Sequence, residues 1–77
     1  MGGLVEIALS SSDLQKLTTD LPKNERLAPC IVMHLSWIGA SLYRVNFFFK
    51  ENPNDPDVSR EDCFLYLSTV LLELRIP

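Results

Sequence analysis

The chain has 77 residues, 47% of them hydrophobic and 22% charged, with seven Lys and Arg against ten Asp and Glu for a formal net charge of −3. That length admits one domain, and that apolar content excludes a disordered or low-complexity chain. The acidic balance argues against a nucleic-acid module, because phosphate binding needs clustered positive charge.

The N-terminus has no basic region followed by a long apolar run, so it does not read as a secretory signal. Gly2 invites a lipidation reading, but Glu6 stands where that motif needs Ser or Thr. With only Cys30 and Cys63, no dense disulfide framework is available. A cytoplasmic protein with two free thiols is the expectation.

Residues 4–9 place Val5, Ile7 and Leu9 on one face at a period of two, with Glu6 and Ala8 on the other. This is the pattern of a half-buried strand. Ser12 with Gln15 three residues later predicts a helix-opening capping box, and Asp13 suits the positive end of the helix dipole. Leu14, Leu17 and Leu21 form the apolar stripe of that helix, which Pro22 stops. Residues 23–26 read as a charged connector.

Residues 29–50 fit two templates. A long helix would align Ile31, Leu35, Ile38, Leu42, Val45 and Phe49, making the protein an all-α helical bundle. A hairpin would split the segment into strands 30–37 and 42–50. Ile31, Met33, Leu35 and Trp37 would then share a face of the first strand, as would Tyr43, Val45, Phe47 and Phe49 of the second. The segment is rich in aromatic and β-branched residues and poor in helix formers, with Gly39 at its centre. Composition therefore favours the hairpin. Its turn is expected at residues 38–41, with Gly39 supplying a positive φ.

Residues 51–57, with Pro53, Pro56 and their Asn and Asp neighbours, predict a solvated loop. Its spacing does not match a calcium loop, which needs a glycine at position six and a glutamate at twelve. Ser59 and Asp62 then form a capping box for a second helix. Cys63, Phe64, Leu67, Val70, Leu71 and Leu74 give that helix a wide apolar stripe, broadened by Leu65, Tyr66 and Leu72. Arg75 is expected in its last turn. The resulting fold is α+β, a small two-layer β-α-β-β-α domain of residues 1–77 with a central β-hairpin.

Chemistry is sparse. Cys30 and His34 are the one pair with the makings of an activated thiol or two zinc ligands, and both roles need further partners that the spacing does not supply. No phosphate-binding glycine loop, nucleophile elbow or paired zinc-histidine motif occurs. No catalytic, cofactor or metal residue is therefore assigned. Arg44, Phe48 and Lys50 share a strand face in the manner of a single-strand nucleic-acid platform, but two cations on an acidic domain are too few. Residues 27–43 carry no formal charge and approach a membrane-spanning length, yet Pro29, His34 and Gly39 interrupt them.

What remains is apolar surplus. Two helices cover one face of a three-stranded sheet, while Leu4, Cys30, Val32, Ile38, Leu42 and Phe48 fall on the other face or near its edges. Strands apolar on both faces are usually buried on both. The expectation is a non-enzymatic protein–protein interaction or assembly module, a homo-oligomer or a subunit of a larger complex. Trp37, Tyr43, Arg44, Phe47 and Phe48 are its expected contact residues, because aromatics and arginine dominate interface hot spots.

Overall fold

The structure, a computed structural model, describes residues 3–76, so Gly2 and Pro77 lie outside it. In chain order it contains β1 (Gly3–Ser10), α1 (Ser11–Asp20), β2 (Ile31–Gly39), β3 (Leu42–Phe49) and α2 (Arg60–Glu73). Two short 3-10 turns, Leu21–Lys23 and Ala28–Cys30, join α1 to β2. The β-α-β-β-α order stands, and the uncharged middle segment is a hairpin rather than a bundle helix.

The strands form one sheet in the order β1-β3-β2. β3 is central and runs antiparallel to both neighbours. Rows across the helix-facing side therefore read Val5–Phe47–Met33, Ile7–Val45–Leu35 and Leu9–Tyr43–Trp37. Leu17 and Leu21 from the α1 side and Cys63, Leu67 and Val70 from α2 join Leu9, Ile31, Val45 and Phe47 in one core. Both helices thus pack on the same face, as a two-layer domain requires.

β1 passes into α1 without a loop. Ser10, the last strand residue, is the N-cap: its hydroxyl accepts from the Asp13 N–H at 3.2 Å. The cap is therefore two residues earlier than the Ser12 capping box expected from sequence. Strand pairing dictates this, because the Ser11 N–H still donates to the Ser41 carbonyl at 2.8 Å as the helix begins. α1 ends at Asp20, and Pro22 sits in the following 3-10 turn, where its missing N–H is tolerated.

The register slips between Gly3 and Val5. This bulge brings consecutive residues Leu4 and Val5 both against the core. Leu4 is thus not on the outer face, where strict alternation put it. Cys30 is also corrected, since the 3-10 turn before β2 carries it inside, where it is fully buried.

The hairpin turn is the two-residue loop Ala40–Ser41. Its positive φ belongs to Ala40, at 51°, and not to Gly39. The Trp37 indole N–H donates to the Ala40 carbonyl at 3.0 Å and closes the turn. In the acidic loop the Asn52 side chain accepts from the Asn54 N–H at 3.0 Å, and Asp55 takes the Arg26 guanidinium at 2.9 Å.

α2 opens as expected, with the reciprocal Ser59–Asp62 capping box. Its end differs from expectation. The helix stops at Glu73, and Arg75 lies beyond it with φ 56°. The Ile76 N–H donates to the Leu71 carbonyl at 2.9 Å and the Arg75 N–H to Leu72 at 3.0 Å. These two bonds make a Schellman end, with Arg75 at the position that favours glycine. Arg75→Gly is therefore expected to stabilise the domain by about 0.5–1 kcal/mol, measured as a rise in melting temperature of several degrees.

Candidate functional site

The helix layer crosses the sheet diagonally, and burial along the rows shows it. In the row nearest the hairpin turn, Leu9 is 2% exposed, Tyr43 half-buried and Trp37 67% exposed. In the next, Val45 is fully buried while Leu35 is 50% exposed. At the other end of β2, Ile31 is buried and Met33 half-buried. The uncovered corner is thus the turn-proximal half of β2. Ile38 and Leu42 are exposed on the opposite face of the same corner. The ribbon is apolar on both sides there, as its alternation implied.

The five expected contact residues separate. Trp37 stands at the centre of the uncovered corner. Tyr43 is its half-buried cross-strand neighbour. Arg44 is exposed on the outer face, with its Nε 3.9 Å from a Glu6 carboxylate oxygen. Both side chains are more than half exposed, so that pair adds little stability. Phe48, also on the outer face, is half-buried; the His34 ring packs on it at a centroid separation of 4.7 Å. Phe47 is a correction. It lies in the middle of the central strand with no exposed surface, so it belongs to the core and offers nothing to a partner.

The structure also separates Cys30 from His34. His34 is exposed on the outer face beside Phe48, while Cys30 is enclosed in the core. Cys30 instead neighbours Cys63 of α2, and both are buried free thiols. Burial, followed by the neighbouring Cys30, raises the Cys63 thiol to about 11. A thiol held protonated is a poor nucleophile. Among the described residues, no cluster of three or more His, Cys, Asp or Glu could hold a metal ion. No helix among them is long and apolar enough to cross a membrane.

Two surface features were not legible from sequence. The expected apolar stripe of α2 is only partly internal: Cys63, Leu67 and Val70 are buried, whereas Phe64, Leu65 and Leu72 are exposed. A helix apolar nearly all round gives no periodic signal of which side faces in. The Tyr66 hydroxyl donates to the Leu21 carbonyl at 2.6 Å, tying α2 to the end of α1. Beside it lies an open polar cleft containing Lys23 and Asp20, already paired with each other at 3.0 Å.

Compared with known proteins, the chain matches no family model, no curated protein and no solved structure.

Two outcomes follow from this arrangement. Phe47→Ala is expected to cost about 3–5 kcal/mol, enough to unfold much of a domain this small, whereas Trp37→Ala should leave the thermal unfolding of the dilute monomer nearly unchanged. The Cys63 thiol should alkylate very slowly at pH 8 in the native protein and rapidly after denaturation. Its raised value also sets a pH window. Below about 9 both folded and unfolded states hold the proton, and there is no effect. Between about 9 and 11 the unfolded thiol ionises while the folded one does not, so stability falls as pH rises through that range. Cys63→Ala should remove that part of the slope in denaturant titrations.

Proposed function

We propose that this domain is a non-enzymatic protein-interaction or assembly module whose contact surface is the turn-proximal half of β2 with its flanking hairpin residues. The observation that carries this reading is the exposure of Leu35, Trp37, Ile38 and Leu42 at one corner, at 50%, 67%, 42% and 40%. Scattered exposed apolar residues are ordinary, but a contiguous set marks an interaction site. Leu35 and Trp37 lie two residues apart on the helix-facing side, where Tyr43 pairs with Trp37, while Ile38, at the register shift, and Leu42, opposite Gly39, flank them at the turn end.

The chemistry of the corner also fits contact better than catalysis. Its residues are aliphatic or aromatic, and Trp is among the residue types enriched at interface hot spots. Arg44 on the outer face supplies a cation at the rim, where charge tunes approach and selectivity more than affinity. Phe48, half-buried on the outer face and paired with Val32 at the turn-distal end of the hairpin, would join only a contact that extends beyond this corner. Phe47 has no part in the surface.

The test uses the purified domain as bait for itself and for candidate partners, with Trp37→Ala and Phe48→Ala variants in parallel. Trp37→Ala should weaken association at least about tenfold, equivalent to about 1.4 kcal/mol, with unchanged circular dichroism. Association that survives Trp37→Ala undiminished rejects this corner as the contact surface.

A further inference from the structure

The two edges of the sheet are built differently. β1 carries Glu6, is bulged between Gly3 and Val5, and has its Gly3 carbonyl taken by the Arg60 guanidinium at 2.7 Å. Charges, bulges and capped backbone groups are the usual guards of an edge strand. β2 spans nine residues, Ile31–Gly39, without a formal charge or a proline. Its only irregularity lies at the turn end, between Trp37 and Gly39.

The ladder tells which β2 backbone groups are free. The Lys50 N–H donates to the Cys30 carbonyl at 2.8 Å. Hydrogen-bonded pairs alternate along an antiparallel ladder, so Val32, His34 and Ser36 bond to Phe48, Asn46 and Arg44. The N–H and C=O groups of Ile31, Met33, Leu35 and Trp37 then point outward along the open edge.

The β2 sequence is also self-complementary about its middle residue. Turned antiparallel against a copy of itself with Leu35 opposite Leu35, it pairs Met33 with Trp37, His34 with Ser36, Val32 with Ile38 and Ile31 with Gly39. Every pair matches apolar with apolar or polar with polar. The outward-pointing odd residues meet outward-pointing odd residues, as the ladder requires. Sliding two-fold pairing one way sets Val32 against Ser36, and sliding it the other way sets His34 against Ile38, so both alternatives mismatch.

Resting on the interaction-module reading, we infer that the partner is a second copy of this chain, joined β2 to β2 across a two-fold axis at Leu35 into a continuous six-stranded antiparallel sheet. A two-fold contact of this kind is self-closing and uses the same patch on both copies. The diagonal helix layer gives it a use. The uncovered Trp37 of one copy comes to lie opposite the half-buried Met33 of the other, toward the end of β2 that the helix layer covers, and the two exposed Leu35 side chains meet at the axis. Strand addition satisfies the free backbone groups while the side chains set the register.

Sedimentation velocity and equilibrium on the full chain test this. The wild type is expected to dimerise at or below about 100 µM. Leu35→Lys, which brings two ammonium groups together at the axis, should raise the dissociation constant at least tenfold with an unchanged circular dichroism spectrum. Leu35→Cys should give, under mild oxidation, a dimer covalently linked through that position, because directly opposed residues lie within disulfide reach. A wild type that stays monomeric throughout overturns the inference. If that monomer still binds another protein in a Trp37-dependent way, the interaction-module reading survives alone. A dimer indifferent to Leu35→Lys but lost in a Leu65→Lys and Leu72→Lys double variant also overturns it, and places self-association on the exposed face of α2.

Discussion

The structure depends on one constraint: only β3 has a strand on each side and helices above it. Val45 and Phe47 occupy its centre, both without exposed surface. Each large side chain buried in this way stabilises by about 1.5–3 kcal/mol. The positions around them grade outward in burial, and the grade is steeper toward β2 than toward β1. Two helices of 10 and 14 residues cannot roof the whole sheet. Sheet twist turns the strands beneath them, so that one corner is left uncovered. The location of Leu35 and Trp37 follows from that shortage of cover.

Connections reinforce the asymmetry. β1 is joined to α1 directly through the Ser10 cap, and Arg60 of α2 reaches its first carbonyl. The Tyr66 bond to Leu21 and the Arg26–Asp55 pair knit the loops at the opposite end of the molecule from the hairpin turn. No comparable tie reaches the outer edge of β2 among the described residues. The edge with the fewest constraints is also the one whose side chains are least covered.

Much of this was legible in the sequence, and the exceptions share a cause. Alternation at Val5, Ile7 and Leu9 and at Tyr43, Val45 and Phe47 identified the strands and their inward faces, because period two is a local property. The Ser59–Asp62 cap was equally local. The errors arose where a neighbour in space overrode a local pattern. Strand pairing to Ser41 moved the first cap from Ser12 to Ser10. A bulge opposite Phe48 turned Leu4 inward, and a 3-10 turn did the same for Cys30. Phe47 was grouped with contact residues because three consecutive Phe place rings on both faces. Alternation places Phe47 with Val45 on the helix-facing side; that it is completely covered follows from β3 lying between β1 and β2, a non-local pairing.

The hairpin turn links strain to surface. Ala40 holds φ 51°, a region where a side chain with Cβ carries a cost of about 1 kcal/mol or more. A glycine one residue earlier does not relieve it, since Gly39 adopts no positive φ. What the turn geometry achieves is to aim the Ala40 carbonyl at the Trp37 indole, three residues back. The bond favours one orientation of the indole at an exposed corner. An exposed side chain that is already ordered loses less conformational freedom when it is covered, and ordering is a principal cost of forming an interface. An indole held toward the turn by that bond presents one face to whatever approaches the β2 edge.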